Sequence, residues 1–175
     1  TLEARVILGG LNQKGGGVMT VQTLNGVTFD AIVYGEQRPQ QWLAGSNNHR
    51  RTQSFDGSVE REALNAPVHL MFVYETTGTI RAYRDGKGYG KPYKTDLQSF
   101  NKGDTHVAFG IRHGTRGSGN RMLKGKILDA ALYDRALTAE EAQAAASGES
   151  NFVSNRQVFQ ALSAPEKAKV PAIDA

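Results

Sequence analysis

The stretch VHLMFVYETTGTIRAYR, residues 68–84, decides the fold of this chain. Apolar and polar side chains alternate with a period of two on both sides of Thr77-Gly78, as is typical of strands in an antiparallel sheet. The first strand is fairly apolar on both faces, so we expect it to be central. Glycine at the turn supplies a positive φ at little steric cost. The stretch therefore predicts a β-hairpin of Val68–Glu75 and Thr79–Arg84 that closes at Thr77-Gly78.

The same pattern recurs along most of the chain, whereas helical periodicity is rare. It predicts six further strands: Leu2–Leu8, Val18–Leu24, Thr28–Tyr34, Gln41–Ala44, Thr105–Arg112 and Leu123–Tyr133. Short strands at regular spacing, separated by glycine-rich turns, are typical of a β-sandwich or jelly roll. The expected fold is therefore all-β, with two antiparallel sheets packed as a jelly-roll sandwich.

One clear helix signal follows the last predicted strand. Thr138 and Glu141 have the spacing of a capping box, an alanine-rich run follows, and Gly148 is a stop signal. Such a short C-terminal helix is not stable alone and must dock on the sandwich. We predict a jelly-roll domain over residues 1–148 and a tail or linker over 149–175, with one more short helix at 154–162.

Composition excludes several classes of protein. The chain has 175 residues, which suits one domain, and it has no cysteine for disulfides, thiolate metal sites or a cysteine nucleophile. No apolar run approaches the roughly 20 residues of a membrane span. The net charge of +4 is mild for this size, so we expect no nucleic acid as partner. No leader pattern follows Thr1, and we expect the chain to begin inside a longer or processed protein.

The positive charge is unevenly distributed. There is no carboxylate side chain between Glu36 and Asp56, or between Asp104 and Asp129, yet these two windows hold 8 of the 21 lysines and arginines. If the fold brings the windows together, they form one positive surface suited to anionic partners. The alternative is that both are solvated loops without a ligand.

Two segments resemble a known family. Gly78-Thr-Ile-Arg-Ala-Tyr83 and GKILDAALYDRALTAEE, residues 125–141, are similar to the central hairpin and to the closing strand and helix of laminin-G-like domains. The first half, through Trp42, resembles such modules embedded in large secreted bacterial multidomain proteins. The resemblance implies the concanavalin A-like lectin/glucanase jelly roll, neighbouring domains in a larger chain, and an extracytoplasmic location, either periplasmic or secreted.

The resemblance also bears on calcium, because calcium-binding relatives carry an aspartate ligand in the closing strand. Alignment on Gly125 and Tyr133 places Leu128 at that position, with Asp129 one residue later. Calcium needs about six to eight oxygen ligands, and a leucine side chain offers none. Calcium is therefore disfavoured, and no metal or cofactor is predicted, although Asp30, Asp104 and backbone carbonyls offer oxygens for a site elsewhere.

No catalytic motif is present in the sequence. Glycoside hydrolysis needs two carboxylates about 5–9.5 Å apart, and the nearest pair is Glu60 and Glu62, which we interpret as part of an exposed charged edge strand. The four histidines are interpreted as structural, because none has close ligand spacing with further partners. We therefore predict that the chain is not an enzyme, with a polysaccharide hydrolase or lyase as the least favoured alternative.

Two polar segments are the best candidates for a binding site. QQWLAGSNNHRRTQ, residues 40–53, sets the only tryptophan beside amides and guanidiniums, which stack on and hydrogen-bond to sugars or planar anions. RHGTRGSGNR, residues 112–121, combines cations with glycines that let a ligand approach the backbone. A core position for the tryptophan is the competing interpretation. The predicted ligand-binding residues are Trp42, Asn47, Asn48, Arg51, Arg112, His113 and Arg116.

These observations predict a non-catalytic recognition module within a larger extracytoplasmic protein. Its ligand is expected to be a carbohydrate or a protein partner, because polar loops on a rigid scaffold commonly carry binding. Membrane insertion is not expected. A structural spacer domain without a ligand is the main alternative.

Overall fold

The computed structural model describes residues 1–117, 119–148 and 159–167. Its strands are β1 (Leu2–Leu8), β2 (Gly16–Thr23), β3 (Phe29–Tyr34), β4 (Trp42–Ser46), β5 (Val68–Tyr74), β6 (Thr79–Arg84), β7 (Lys87–Gly88), β8 (Tyr93–Lys94), β9 (Thr105–Phe109) and β10 (Gly125–Leu132). The main helix is α1 (Ala139–Ser147). Short helical turns occur at Asn47–His49, Gly119–Arg121 and Ala164–Lys167.

The strands form two antiparallel sheets, so the predicted all-β sandwich is confirmed. The first sheet has the order β10-β1-β5-β6-β7, with β8 also paired to β6, and the second has the order β4-β3-β2-β9. All of the predicted strands are present, and the two-residue strands β7 and β8 were not predicted. β9 ends at Phe109 rather than at Arg112, because Gly110 has a φ of 71° and turns the chain away from β2.

The core lies between the sheets, because alternate side chains of a strand point to the same side. In Leu2–Leu8 every second residue is buried and the intervening residues are partly exposed. Aromatic rings fill the interior: the ring centroids of Phe55 and Phe72 are 5.5 Å apart, and those of Tyr34 and Trp42 are 4.7 Å apart. This packing places Trp42 on the inner face of the second sheet.

The predicted C-terminal helix is confirmed as α1. Thr138 accepts a hydrogen bond from the Glu141 amide while the Glu141 carboxylate accepts one from the Thr138 amide, and Gly148 ends the helix in the left-handed conformation. α1 packs on the outer face of the first sheet, which explains why β5 is apolar on both faces; the cluster contains Met71, Val73, Leu137, Ala142 and Ala145. No helix in the described part of the chain is long and apolar enough to cross a membrane.

The predicted helix over residues 154–162 falls mainly outside the described residues. Residues 154–158 are not described, and residues 159–161 are helical.

The outer face of the second sheet is covered by residues 110–117, which we call the cover segment. The Thr20 hydroxyl donates to the carbonyls of Ile111 and Arg112, at 2.8 and 2.9 Å. The Gln22 amide and the Gly114 backbone exchange two hydrogen bonds, at 3.1 and 2.8 Å. A Cβ at Gly17 would lie 2.2 Å from the Arg112 Cα, so only glycine allows this close approach. The cover segment, rather than the strands themselves, therefore forms the outer surface of this part of the second sheet.

Candidate functional site

A cavity of about 640 Å³ lies on the outer side of the second sheet, beside the cover segment. We call it the loop pocket. Its walls come from the turn after β2, the turn after β4 and the cover segment; they are residues 25–27, Phe29, Glu36, Ser46–His49, Arg112–Arg116 and Arg121. The fold thus brings together five predicted site residues: Asn47, Asn48, Arg112, His113 and Arg116. Whether they bind a ligand stays a prediction.

Arg51 holds in place the turn that carries Asn47 and Asn48. The Arg51 guanidinium donates to the Asp30 carboxylate at 2.8 and 3.0 Å, to the Phe29 carbonyl at 3.0 Å and to the Asn47 side-chain oxygen at 3.0 Å. Burial raises the pKa of Asp30 to about 6, against the lowering effect of Arg51. Arg51 is itself buried, so the prediction that it contacts a ligand is corrected: it positions the residues that line the pocket.

Trp42 requires a second correction, because its side chain lies in the core. The residue is 1% exposed, and its indole N–H donates to the Glu60 carboxylate at 2.8 Å. A ring enclosed in this way cannot stack on a ligand from solution. The competing interpretation of Trp42 as a core residue is therefore the correct one, and it follows from the inward face of β4.

The acidic residue beside Trp42 is also placed differently from the prediction. Glu60 is 2% exposed, and it accepts hydrogen bonds from Trp42, from Arg84 and from the backbone amides of residues 61–63. Burial alone would raise the pKa of Glu60, but the hydrogen bonds from Arg84 and Trp42 lower this pKa to about 2. Glu60 is thus not part of an exposed edge strand, and it is unavailable for acid–base chemistry.

The loop pocket is lined by more positive than negative side chains. Three arginines line it, namely Arg112, Arg116 and Arg121, against one carboxylate, Glu36. Glu36 is already paired, because its carboxylate contacts the Arg112 guanidinium and lies 3.3 Å from the His49 imidazole. The one lining carboxylate is therefore engaged within the wall of the pocket.

His113 lies flat against an aromatic ring at the inner end of the pocket. Its imidazole stacks on Phe29 with the ring centroids 4.5 Å apart and the planes 10° from parallel. Burial and the neighbouring guanidinium groups of Arg112 and Arg121 lower the pKa of His113 below its ordinary value of 6.5. The ring is therefore neutral at pH 7 and offers a hydrogen-bonding edge rather than a fixed charge.

The predicted ligand-binding residues do not include several lining residues, chiefly Glu36, His49 and Arg121, although the last two lie within the two candidate segments. The turn at Asn25-Gly26 is a strong local signal, but nothing local indicates that it faces the cover segment. Glu36 and Arg112 are 76 residues apart, so their pairing depends on the tertiary fold. His49 follows the two asparagines directly, and this adjacency is the one signal that could have added it to the site.

No group of three or more histidine, aspartate or glutamate side chains suited to a metal ion occurs among the described residues. Leu128, which stands where the calcium-binding relatives have a ligand, is 50% exposed on β10. The Asp129 carboxylate beside it accepts a hydrogen bond from the Ala130 amide at 2.8 Å. The loop pocket itself holds one carboxylate, which is too few for calcium.

Two packed antiparallel sheets with a docked C-terminal helix define a lectin-like jelly roll. Residues 1–143 match the Laminin_G_3 family, described as the concanavalin A-like lectin/glucanases superfamily, and the chain belongs to that family. No curated protein matches the sequence.

Two solved structures are similar to this chain. One is a native heptameric SAP-like pentraxin from Limulus polyphemus, with 18% identity and a TM-score of 0.61 over 83% of this chain and 68% of the pentraxin. The other is a Trypanosoma rangeli sialidase in complex with 2-keto-3-deoxy-D-glycero-D-galacto-2,3-difluoro-nononic acid, with 18% identity and a TM-score of 0.53. The match covers 81% of this chain and 21% of the sialidase. At this identity the two similarities establish the fold alone.

Proposed function

We propose that this chain is a non-catalytic recognition module that binds carbohydrate in the loop pocket. The observation that carries the proposal is the convergence of Asn47, Asn48 and Arg116 on one cavity of about 640 Å³. Ligand pockets commonly measure about 300–1,000 Å³. Amide and guanidinium groups donate in fixed planar geometries, and the amides also accept, which matches the hydroxyl groups of a sugar.

The scaffold of the pocket supports recognition, because its walls are held by buried contacts. Arg51 fixes the turn after β4 through Asp30, and Thr20 and Gln22 fix the cover segment. A wall that is already ordered loses little conformational entropy on binding. The same rigidity keeps the polar groups at constant spacing, which favours specific recognition.

The carboxylates support a role without catalysis. A glycoside hydrolase needs two carboxylates about 5–9.5 Å apart on either side of the scissile bond. Glu36 is the one carboxylate among the residues that line the loop pocket, and it is engaged by Arg112 and His49. Glu60 is sealed in the core by six hydrogen bonds. Glu62 shares Arg84 with Glu60, but Glu60 has no free face for substrate, and Glu36 has no second carboxylate among the described lining residues.

A glycan array followed by isothermal titration of the best glycan tests the proposal. The variant Asn48→Gly removes an exposed amide from the pocket and suits the backbone, because Asn48 has a φ of 51°. We expect its affinity to fall about 10-fold, the equivalent of one strong polar contact. The control is Asn65→Gly, an exposed asparagine outside the pocket, with unchanged affinity.

Two results would contradict the proposal. If no glycan binds, the spacer alternative is favoured instead. If a glycan binds equally well to the wild type and to Asn48→Gly, the loop pocket is not the site. The setting of the module within a larger extracytoplasmic protein stays a prediction from the family resemblance.

A further inference from the structure

We infer that the ligand of the loop pocket is a carbohydrate chain of several sugar residues, and that Phe109 is the aromatic platform on which one of its rings stacks. This inference rests on the proposed function, because it names the substrate class of the same site and adds a second subsite to it. The sequence predicts such a platform at Trp42, but the ring of that residue is enclosed in the core.

A second cavity, of about 450 Å³, adjoins the loop pocket along the cover segment. We call it the edge pocket, because residues of β9, the edge strand of the second sheet, line it. Gly114 and Thr115 line both cavities. Each cavity alone falls within the range of about 300–1,000 Å³ that is usual for drug-sized ligands, so one monosaccharide would not fill the two. A carbohydrate chain that passes over Thr115 has room for further residues on both sides.

The edge pocket contributes an exposed aromatic ring. Phe109 is 54% exposed, and it is the one exposed phenylalanine, tyrosine or tryptophan in the described part of the chain. Met122, which is 41% exposed, lines the same cavity together with Ala108 and Ile111. Single exposed apolar side chains are common, but two of them in one concave site form an apolar surface that a ligand can cover. An aromatic ring in this position suits the apolar C–H face of a pyranose.

Polar groups at fixed positions line the same cavity. Gln22 is 0% exposed, and its side-chain oxygen accepts from the Gly114 N–H while its amide nitrogen donates to the Gly114 carbonyl. The same nitrogen lies 2.8 Å from Nε2 of His106 and donates to it. An imidazole that accepts at Nε2 carries its proton on Nδ1. His106 therefore offers an N–H donor to a sugar hydroxyl in the cavity that Phe109 lines.

Three series of glucose oligomers, each of one to six residues, test the inference: α-1,4-linked, β-1,4-linked and β-1,3-linked chains. Isothermal titration of the wild-type chain measures affinity as a function of chain length. We expect at least one series to bind, with an affinity that rises at least about 10-fold from the shortest to the longest member. The rise should stop once the chain fills both cavities, because further residues then remain in solvent.

Two variants separate the platform from a general loss of exposed apolar surface. Phe109→Ala removes the ring, and Leu97→Ala is the control, because Leu97 is 43% exposed and lines neither cavity. We expect Phe109→Ala to lower the affinity for the six-residue chain about 10-fold and to reduce its advantage over short chains. Phe109→Tyr keeps the ring and should bind within about twofold of the wild type, as should Leu97→Ala.

Each other result has a separate meaning. Equal affinity for one residue and for six, or equal effects of Phe109→Ala and Leu97→Ala, would overturn the inference. If none of the three series binds, the inference is also wrong, whereas a glycan elsewhere on the array that depends on Asn48 would leave the proposed function intact. Loss of affinity in Phe109→Ala but not in Asn48→Gly would contradict both, because the edge pocket alone would then be the site.

Discussion

Glu60 and Glu36 each pair with an arginine from a distant segment, yet one pair closes the core and the other borders a cavity. The Glu60 side chain is 0% exposed and pairs with Arg84, whereas the Glu36 side chain is 16% exposed and pairs with Arg112. Glu60 also accepts from Trp42 and from three backbone amides. Glu36 has only the His49 imidazole as a further ion-pair partner among the described residues.

This difference separates a pair that is buried in the core from a pair that is partly exposed at the loop pocket. When a buried carboxylate accepts hydrogen bonds from several donors, loss of its charge leaves those donors without an acceptor. The free energy of unfolding then falls. When a carboxylate is partly solvated, water replaces it at little cost. Glu60 therefore contributes to the stability of the fold, while Glu36 lies in the wall of the loop pocket.

The largest expected effect is the loss of stability in Glu60→Gln. The substitution leaves Arg84 without its buried counter-charge and replaces one carboxylate oxygen by an amide donor that faces other donors. We expect the free energy of unfolding to fall by about 3 kcal/mol, as is usual when a buried pair is broken. Urea denaturation followed by tryptophan fluorescence measures it, because Trp42 is the indole that Glu60 holds.

The matched control is Glu62→Gln, because both carboxylates contact the same arginine. The Glu62 side chain is 71% exposed and lies 2.8 Å from Arg84. We expect a change below about 0.5 kcal/mol, typical of a surface pair. Equal losses of unfolding free energy in Glu60→Gln and Glu62→Gln would show that burial does not determine the effect. The comparison between Glu60 and Glu36 would then be wrong.

The pH dependence of stability provides the second prediction about Glu60. Its pKa is about 2 in the folded chain against an ordinary value of 4.5, so the folded state binds this proton less readily than the unfolded state. The stabilisation is fully present above about pH 4.5 and is lost as the pH falls toward about 2. The difference in unfolding free energy between wild type and Glu60→Gln should therefore shrink over that interval. A difference that stays constant down to about pH 2 would contradict the lowered pKa.

A smaller effect is expected where the cover segment meets the second sheet. In Gly17→Ala the new Cβ would lie 2.2 Å from the backbone of Arg112, so the cover segment must move outward. We expect a loss of about 1–3 kcal/mol in thermal unfolding, the range for overpacking, together with weaker binding in the loop pocket. Gly10→Ala is the control, because a Cβ there meets no atom within 4 Å. Similar stability in both variants would show that the close approach of Gly17 to Arg112 does not contribute to stability.

Much of the fold was predictable because its signals are local. Alternation in Val68–Tyr74 and Thr79–Arg84 identified the hairpin, and the capping box at Thr138 identified α1. Each signal depends on residues within a few positions of one another, so neither needs the tertiary structure. The strand ends were less predictable, since Gly110 ends β9 through its backbone conformation and not through side-chain pattern.

The candidate site was only partly predictable, because burial depends on distant partners. Asn47 and Asn48 occur in a run of polar residues, and that local density correctly indicated a loop. The same run of polar residues suggested that Trp42 and Arg51 are exposed. Both side chains are instead buried, because Trp42 donates to Glu60 and Arg51 donates to Asp30, which lie elsewhere in the sequence. A polar sequence around a residue therefore does not establish that its own side chain faces solvent.

The smallest effect on stability is expected at Glu36, where the comparison with Glu60 is most direct. Glu36→Gln repeats the Glu60→Gln chemistry in a carboxylate that is partly exposed, so we expect unfolding free energy to fall by about 1 kcal/mol or less. Urea denaturation of the two variants under the same conditions measures the difference. Glu75→Gln is the matched control, because the Glu75 side chain is also partly exposed and pairs with one arginine, Arg81. Destabilisation as large as that of Glu60→Gln would contradict the distinction between the two pairs.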